Sequence, residues 1–154
     1  MRSVILSIAL LLYTCAADAA NDTPVGRWMT IDDETHAPSA IVDIIDEPGG
    51  LSGHIVSLFP KPGREPAPLC KNCSGERKDQ PVIGMKILWG LHRDGDEWNG
   101  GEIFDPDGGT TYRCKIRVID DGEKLDVRGF VGISLLGRTQ TWVRQKPDVP
   151  PANP

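Results

Sequence analysis

Residues 111–119 alternate without a break: Tyr112, Cys114, Ile116 and Val118 fall on one side, and Arg113, Lys115 and Arg117 on the other. A side-chain period of two belongs to an extended strand, and one apolar face opposite one charged face belongs to a strand with a core on one side and water on the other. The same period recurs in short runs along the chain. It predicts eight strands, at 26–31, 40–47, 51–59, 85–92, 97–105, 111–119, 124–131 and 138–144. Between them, Pro48-Gly49-Gly50, Arg93-Asp94-Gly95-Asp96 and Asp120-Asp121-Gly122-Glu123 carry the residues of tight hairpins. The 17 glycines and 13 prolines, spread without a period, argue against a helical bundle. Consecutive antiparallel strands with one apolar face imply an all-β fold, a closed up-and-down barrel or a sandwich.

The two ends read differently from the middle. Met1-Arg2-Ser3 is a short positive start, residues 4–13 are an apolar run, and Ala17-Asp18-Ala19 has small residues where a signal peptidase reads. The run is far shorter than the ~20 residues a bilayer span needs, so residues 1–19 are expected to be a cleaved signal peptide, with no integral membrane span and a periplasmic or secreted destination. A lipoprotein signal ending at Cys15 is the rival, weakened by the size of Thr14. Residues 147–154, with four prolines, are expected to be a tail outside the fold, leaving one domain over 20–146. Loss of 1–19 removes Arg2 and Asp18 together, so the net charge of -5 stands in the mature chain. A general nucleic-acid binder needs a basic stripe to displace counterions, and this chain is not expected to be one.

In an up-and-down barrel, alternate connections share a rim. One rim would then carry 32–39, 60–84, 106–110 and 132–137, and the other only the short turns 48–50, 93–96 and 120–123. A barrel of about eight strands is wide enough to hold one small ligand. The rim with the long loops is therefore the expected functional face.

The same parity brings Trp28 of Gly26-Arg27-Trp28 to the closed end with Trp142 and Arg144 of the last strand. A Gly-x-Trp entry with a late arginine able to lie over the indole resembles the calycin superfamily of lipocalin-like barrels, in which these residues would close the barrel bottom. Longer stretches carry a second resemblance. Residues 28–35, Pro68-Leu69-Cys70-Lys71-Asn72-Cys73, Gln80-Pro81-Val82-Ile83-Gly84 with Ile87-Leu88, and above all 128–142, ending in Gly137-Arg138-Thr139-Gln140-Thr141-Trp142, resemble the bacterial domain-of-unknown-function family 2147. This covers about residues 24–144. It implies an exported, lipocalin-like, eight-stranded antiparallel β-barrel of unassigned activity, and brings no catalytic residue.

Cys70 and Cys73 form a Cys-x-x-Cys, which serves as a redox dithiol, half a zinc site or a local disulfide. His36, His54 and His92 lie on separate elements and there is no second Cys-x-x-Cys, so no metal is expected. The motif lies among prolines rather than at a helix start, which disfavours redox catalysis. Bridging Cys73 to Cys114 would be worth roughly 4 kcal/mol against roughly 2 for Cys70 to Cys73 in the chain-entropy model. Geometry opposes the long bridge, because Cys114 is expected inside the barrel about 10 Å below the rim. The expected disulfide is Cys70 to Cys73, with Cys114 a buried free thiol.

No catalytic constellation emerges. Glu102 and Asp105 lack a nucleophile or a histidine beside them. Ser134 is not in a Gly-x-Ser-x-Gly elbow, and Asp105-Pro106-Asp107-Gly108-Gly109 lacks the alternation and terminal Glu of a calcium loop. The acidic set Asp32, Asp33 and Glu34 is expected to be a solvated face. The leading expectation is a non-catalytic module, without cofactor, that takes a small apolar or amphipathic ligand, with Trp89, Trp98 and Tyr112 turned inward and Arg77 or Arg138 as polar anchor. The rival is an interaction module whose barrel is filled and whose rim docks another envelope protein. Interior volume separates them, since a cavity below ~300 Å³ would be too small for most ligands.

Overall fold

The computed structural model describes residues 22–146. The expected signal peptide, Cys15 and the Pro-rich tail lie outside the described residues. Eight strands follow in order: β1 (Gly26–Ile31), β2 (Pro38–Glu47), β3 (Gly50–Leu58), β4 (Lys86–Asp94), β5 (Glu97–Asp105), β6 (Thr110–Ile119), β7 (Lys124–Phe130) and β8 (Gly137–Arg144). Short 3-10 turns stand at Gly75–Arg77 and Asp120–Gly122. Each strand pairs antiparallel with the next, and β1 also pairs with β8 through Trp28↔Arg144 and Met29↔Val143. That last pairing decides between barrel and sandwich: the sheet closes on itself and leaves no free edge.

The alternation of 111–119 appears as β6. Cys114 and Ile116 are buried while Arg113 and Arg117 are exposed, and the ladder with β7 runs unbroken from Arg113↔Phe130 to Ile119↔Lys124. Elsewhere the period is interrupted. Gly90 and Gly100 sit at φ +72° and +78°, where glycine alone escapes the Cβ penalty, and an interior glycine of this kind marks a bulge. Across Gly90, Leu88 and Leu91 both become fully buried. Gly101, beyond the second bulge, then faces Leu91 so closely that a Cβ there would lie 2.6 Å from Leu91 Cγ.

One consequence corrects an expectation. Simple alternation puts Trp89 inside with Leu91, but the bulge makes Leu88 the inward residue. Trp89 therefore stands on the outer face opposite Glu102, to whose carboxylate its indole N–H donates at 2.9 Å.

The lower half of the barrel is filled by Trp28, Ile44, Leu51, Leu91, Ile116 and Leu125. Arg144 lies over the Trp28 ring at 4.1 Å. Its guanidinium donates to the carbonyls of Thr23 at 2.7 Å, Val25 at 3.2 Å and Gly122. Trp28 Nε1 donates to Pro24 O at 2.8 Å, so the segment before β1 is drawn across the closed end. Trp142 sits two residues further up β8, between this core and the space above it.

Candidate functional site

The short turns 48–49, 95–96 and 120–123 lie at the closed end, and every long connection lies at the other. There the barrel opens into a cavity of about 870 Å³. Its floor and walls are apolar, made by Val42, Ile55, Val127 and Trp142 below and by Ala40, Leu58, Ile103 and Tyr112 around. Its rim is charged, with Asp32, Asp33, Lys61, Arg64, Asp107 and Arg138.

Two carboxylates organise that rim. Asp32 Oδ1 accepts the Thr35 amide and hydroxyl, each at 2.9 Å, and Oδ2 accepts Lys61 Nζ at 2.5 Å. These bonds to its charged form, the lysine's first, hold the Asp32 carboxyl well below the usual carboxylate range. They also tie the β1–β2 loop to the long β3–β4 loop. Asp33 pairs with the Arg138 guanidinium and accepts Gln140 Nε2 at 2.6 Å. Gln140 Oε1 in turn accepts Trp142 Nε1 at 3.3 Å. A hydrogen-bonded chain thus descends from the charged rim to the aromatic floor.

The long loop, residues 59–85, is packed rather than loose. Cys70 and Cys73 form a disulfide with Cα atoms 5.3 Å apart, and both are buried. Main-chain bonds from Cys70 N to Gln80 O at 2.8 Å and from Val82 N to Pro68 O at 3.0 Å close the loop on itself. Asn72 Nδ2 donates to Asp107 O at 2.7 Å and Arg64 pairs with Asp107 at 3.0 Å, fixing the loop to the β5–β6 turn. Arg77 lies 5.0 Å from the Trp89 ring and 4.7 Å from that of Phe104. Phe104 follows the inward Ile103 along β5 and is buried beneath the long loop, where it also reaches the cavity, so Arg77 clamps the loop to the β4–β5 wall over Phe104 and Trp89. Pro68 and Val82 of the loop extend the cavity's lip.

Of the residues singled out from sequence, the structure brings Tyr112 and Arg138 to the cavity. Trp98 faces inward near the closed end, under Arg93 at 5.1 Å, and does not line it. Trp89 and Arg77 are on the outer wall, where they hold the loop. Gln140 and Gly129 line the cavity and were missed. Gln140 was legible, since it alternates between Arg138 and Trp142 along β8. Gly129 carried no signal, because glycine has no side chain from which to read a face. Cys114 is free and buried, and desolvation pushes its thiol up to about 12, which keeps it neutral. Among the described residues no three His, Cys, Asp or Glu side chains gather as metal ligands, and no helix is long and apolar enough to cross a membrane.

Comparison with known proteins agrees with this architecture. The family model described as "Uncharacterized protein conserved in bacteria (DUF2147)" matches residues 26–144. No curated protein matches the chain. Among solved structures, protein HP1028 from the human pathogen Helicobacter pylori, described as belonging to the lipocalin family, superposes with a TM-score of 0.69 at 19% identity. The match covers 80% of this chain and 84% of that one. At that identity the likeness is one of fold, an eight-stranded lipocalin-like barrel.

Proposed function

The chain belongs to the bacterial DUF2147 family, and from that premise we propose that it is a non-catalytic binding module that holds a small amphipathic molecule in its open cavity. The observation that carries the reading is the gradient along the cavity axis. An apolar tail fits between Val42, Ile55, Val127 and Trp142, and a polar head fits among Arg138, Lys61 and the rim carboxylates. Tyr112 is the aromatic wall and Arg138, oriented by Asp33, the polar anchor. The volume of about 870 Å³ is well above the ~300 Å³ at which ligand sites begin. It speaks against the rival in which the barrel is filled and only docks another envelope protein.

Export is part of the same proposal, because residues 1–19 have the layout of a cleaved signal peptide. N-terminal sequencing of protein recovered from a periplasmic fraction should begin at Ala20.

Native mass spectrometry of protein purified without denaturation tests the ligand. The expected result is an adduct lost on unfolding, together with saturable binding of a fluorescent amphiphile excited through Trp142. No adduct and no amphiphile binding would overturn the reading.

A further inference from the structure

Residues 131–136 join β7 to β8 on the open rim. Within those six positions Val131, Ile133, Leu135 and Leu136 are 66%, 62%, 81% and 70% exposed. Single exposed aliphatics are ordinary, but a contiguous set on one rim is not. Val131 and Leu136 also line the cavity mouth, so the set stands beside the proposed site.

The backbone beneath these side chains is already satisfied on its acceptor side. Gly132 O accepts Arg113 at 3.2 Å. Ile133 O accepts the Leu136 amide at 3.0 Å and Leu136 O the Val131 amide at 3.4 Å. Ser134 O and Leu135 O accept Arg128 at 2.8 and 3.3 Å. Every carbonyl from 132 to 136 therefore has a donor within the protein. Bonded carbonyls suit a loop that meets a boundary of phosphate and ester oxygens, which accept but do not donate, and those oxygens are the acceptors open to the amides of 132–135, which make no bond among the described residues. Among the described residues neither arginine makes an ion pair: Glu102, across from Arg113 on β5, is engaged by the Trp89 indole, and Arg128 stands between Lys115 and Thr139, so positive charge is left at the base of the loop.

We propose that the 131–136 loop docks on an anionic lipid bilayer, its aliphatic side chains at the acyl boundary and Arg113 and Arg128 at the depth of the phosphates. This pairing of an apolar tip with a cationic base is the arrangement of interfacial membrane anchors. The chain as a whole carries -5, but the rim carboxylates Asp32, Asp107 and Asp33 are paired with Lys61, Arg64 and Arg138, and at physiological salt charges more than about 8 Å away are largely screened. The cavity mouth would then open toward the membrane.

Co-sedimentation tests this with phosphatidylcholine vesicles with and without phosphatidylglycerol, and with the variant Ile133→Asp/Leu135→Asp. Both positions are exposed, so the variant should unfold at the wild-type temperature. Expected is binding to the anionic vesicles that weakens with salt and falls roughly tenfold or more in the variant. Absence of vesicle binding, equal binding to both vesicle types, or equal binding by the variant overturns the proposal. So does concentration-dependent self-association that the variant abolishes without any vesicle binding, since a second copy would then cover the loop. Vesicle binding needs no occupant in the cavity, so its failure and that of the ligand reading are scored separately.

Discussion

Gly109 lies so close beneath Asn72 that a Cβ on Gly109 would sit 2.1 Å from the Asn72 carbonyl oxygen. This contact seats the disulfide-bearing knuckle of the long loop on the β5–β6 turn. Gly109 also has φ +69°, so Gly109→Ala meets both a strained backbone and an immovable main-chain atom. The expected cost is about 3 kcal/mol, a fall in Tm of roughly 10 °C for a domain of this size. Gly63→Ala separates the two causes. It has φ +77° but open space around the added methyl, and should cost only about 1 kcal/mol. Equal losses in the two variants would show that the loop does not rest on Gly109.

The Cys70 to Cys73 bridge should matter for the loop rather than for the barrel. Closing so short a ring contributes about 2 kcal/mol by chain entropy, and both sulfurs are buried against the turn. Cys70→Ala/Cys73→Ala is expected to lower stability by about that amount. Hydrogen exchange should rise over 68–82 while the β6–β7 ladder stays protected. Uniform loss of protection in both regions would make the bridge a determinant of the whole fold.

The barrel was legible because its strands are regular where it matters. β6 shows uninterrupted alternation, and the hairpins at 48–50, 93–96 and 120–123 announce themselves by glycine and aspartate. Trp89 does not share the inward face of Leu91 because one inserted residue at Gly90 breaks the phase between the residues before it and those after it, and an isolated glycine within a strand is the signal for such a break. The site was legible in location but not in detail. Which rim opens followed from loop lengths, whereas Asp33 meeting Arg138 and Gln140 joins residues more than a hundred positions apart, and no local period encodes such a meeting. The long loop hid its packing for the same reason: Arg77 finds Trp89 and Phe104 through tertiary structure alone.

The Asp32 to Lys61 tie sets a pH dependence. The folded-state carboxyl is held below its ordinary value, so its contribution is present in full above the unfolded-state pKa of about 4 and is lost as pH falls through the folded value. Asp32→Asn keeps one oxygen to accept Thr35 but sets an NH2 donor against Lys61, so the charge and the Lys61 hydrogen bond are lost together. The difference in Tm between wild type and variant should therefore be constant from about pH 5 to about pH 8 and narrow below about pH 4. Because the pair reaches solvent, added salt should narrow it as well. A difference that grows on acidification would refute this assignment.

Gly129 offers a way to close the cavity without disturbing its wall. It pairs with Cys114 on β6 and Arg138 on β8 and lines the open space. A Cβ there would meet Ile103 at 3.5 Å and Tyr112 at 3.6 Å, ordinary contact distances, and Gly129 is not among the positive-φ glycines. Gly129→Leu should thus project an isobutyl group into the space assigned to the ligand's apolar part. Replacing a strand glycine and burying a leucine both favour the folded state, so Tm should be unchanged or higher. Affinity for an amphipathic probe, followed by fluorescence titration, should fall at least about tenfold, since a filled cavity admits the tail only by displacing packed side chains. Stability retained with affinity lost would locate binding inside the barrel. Unaltered affinity would place the probe elsewhere on the protein.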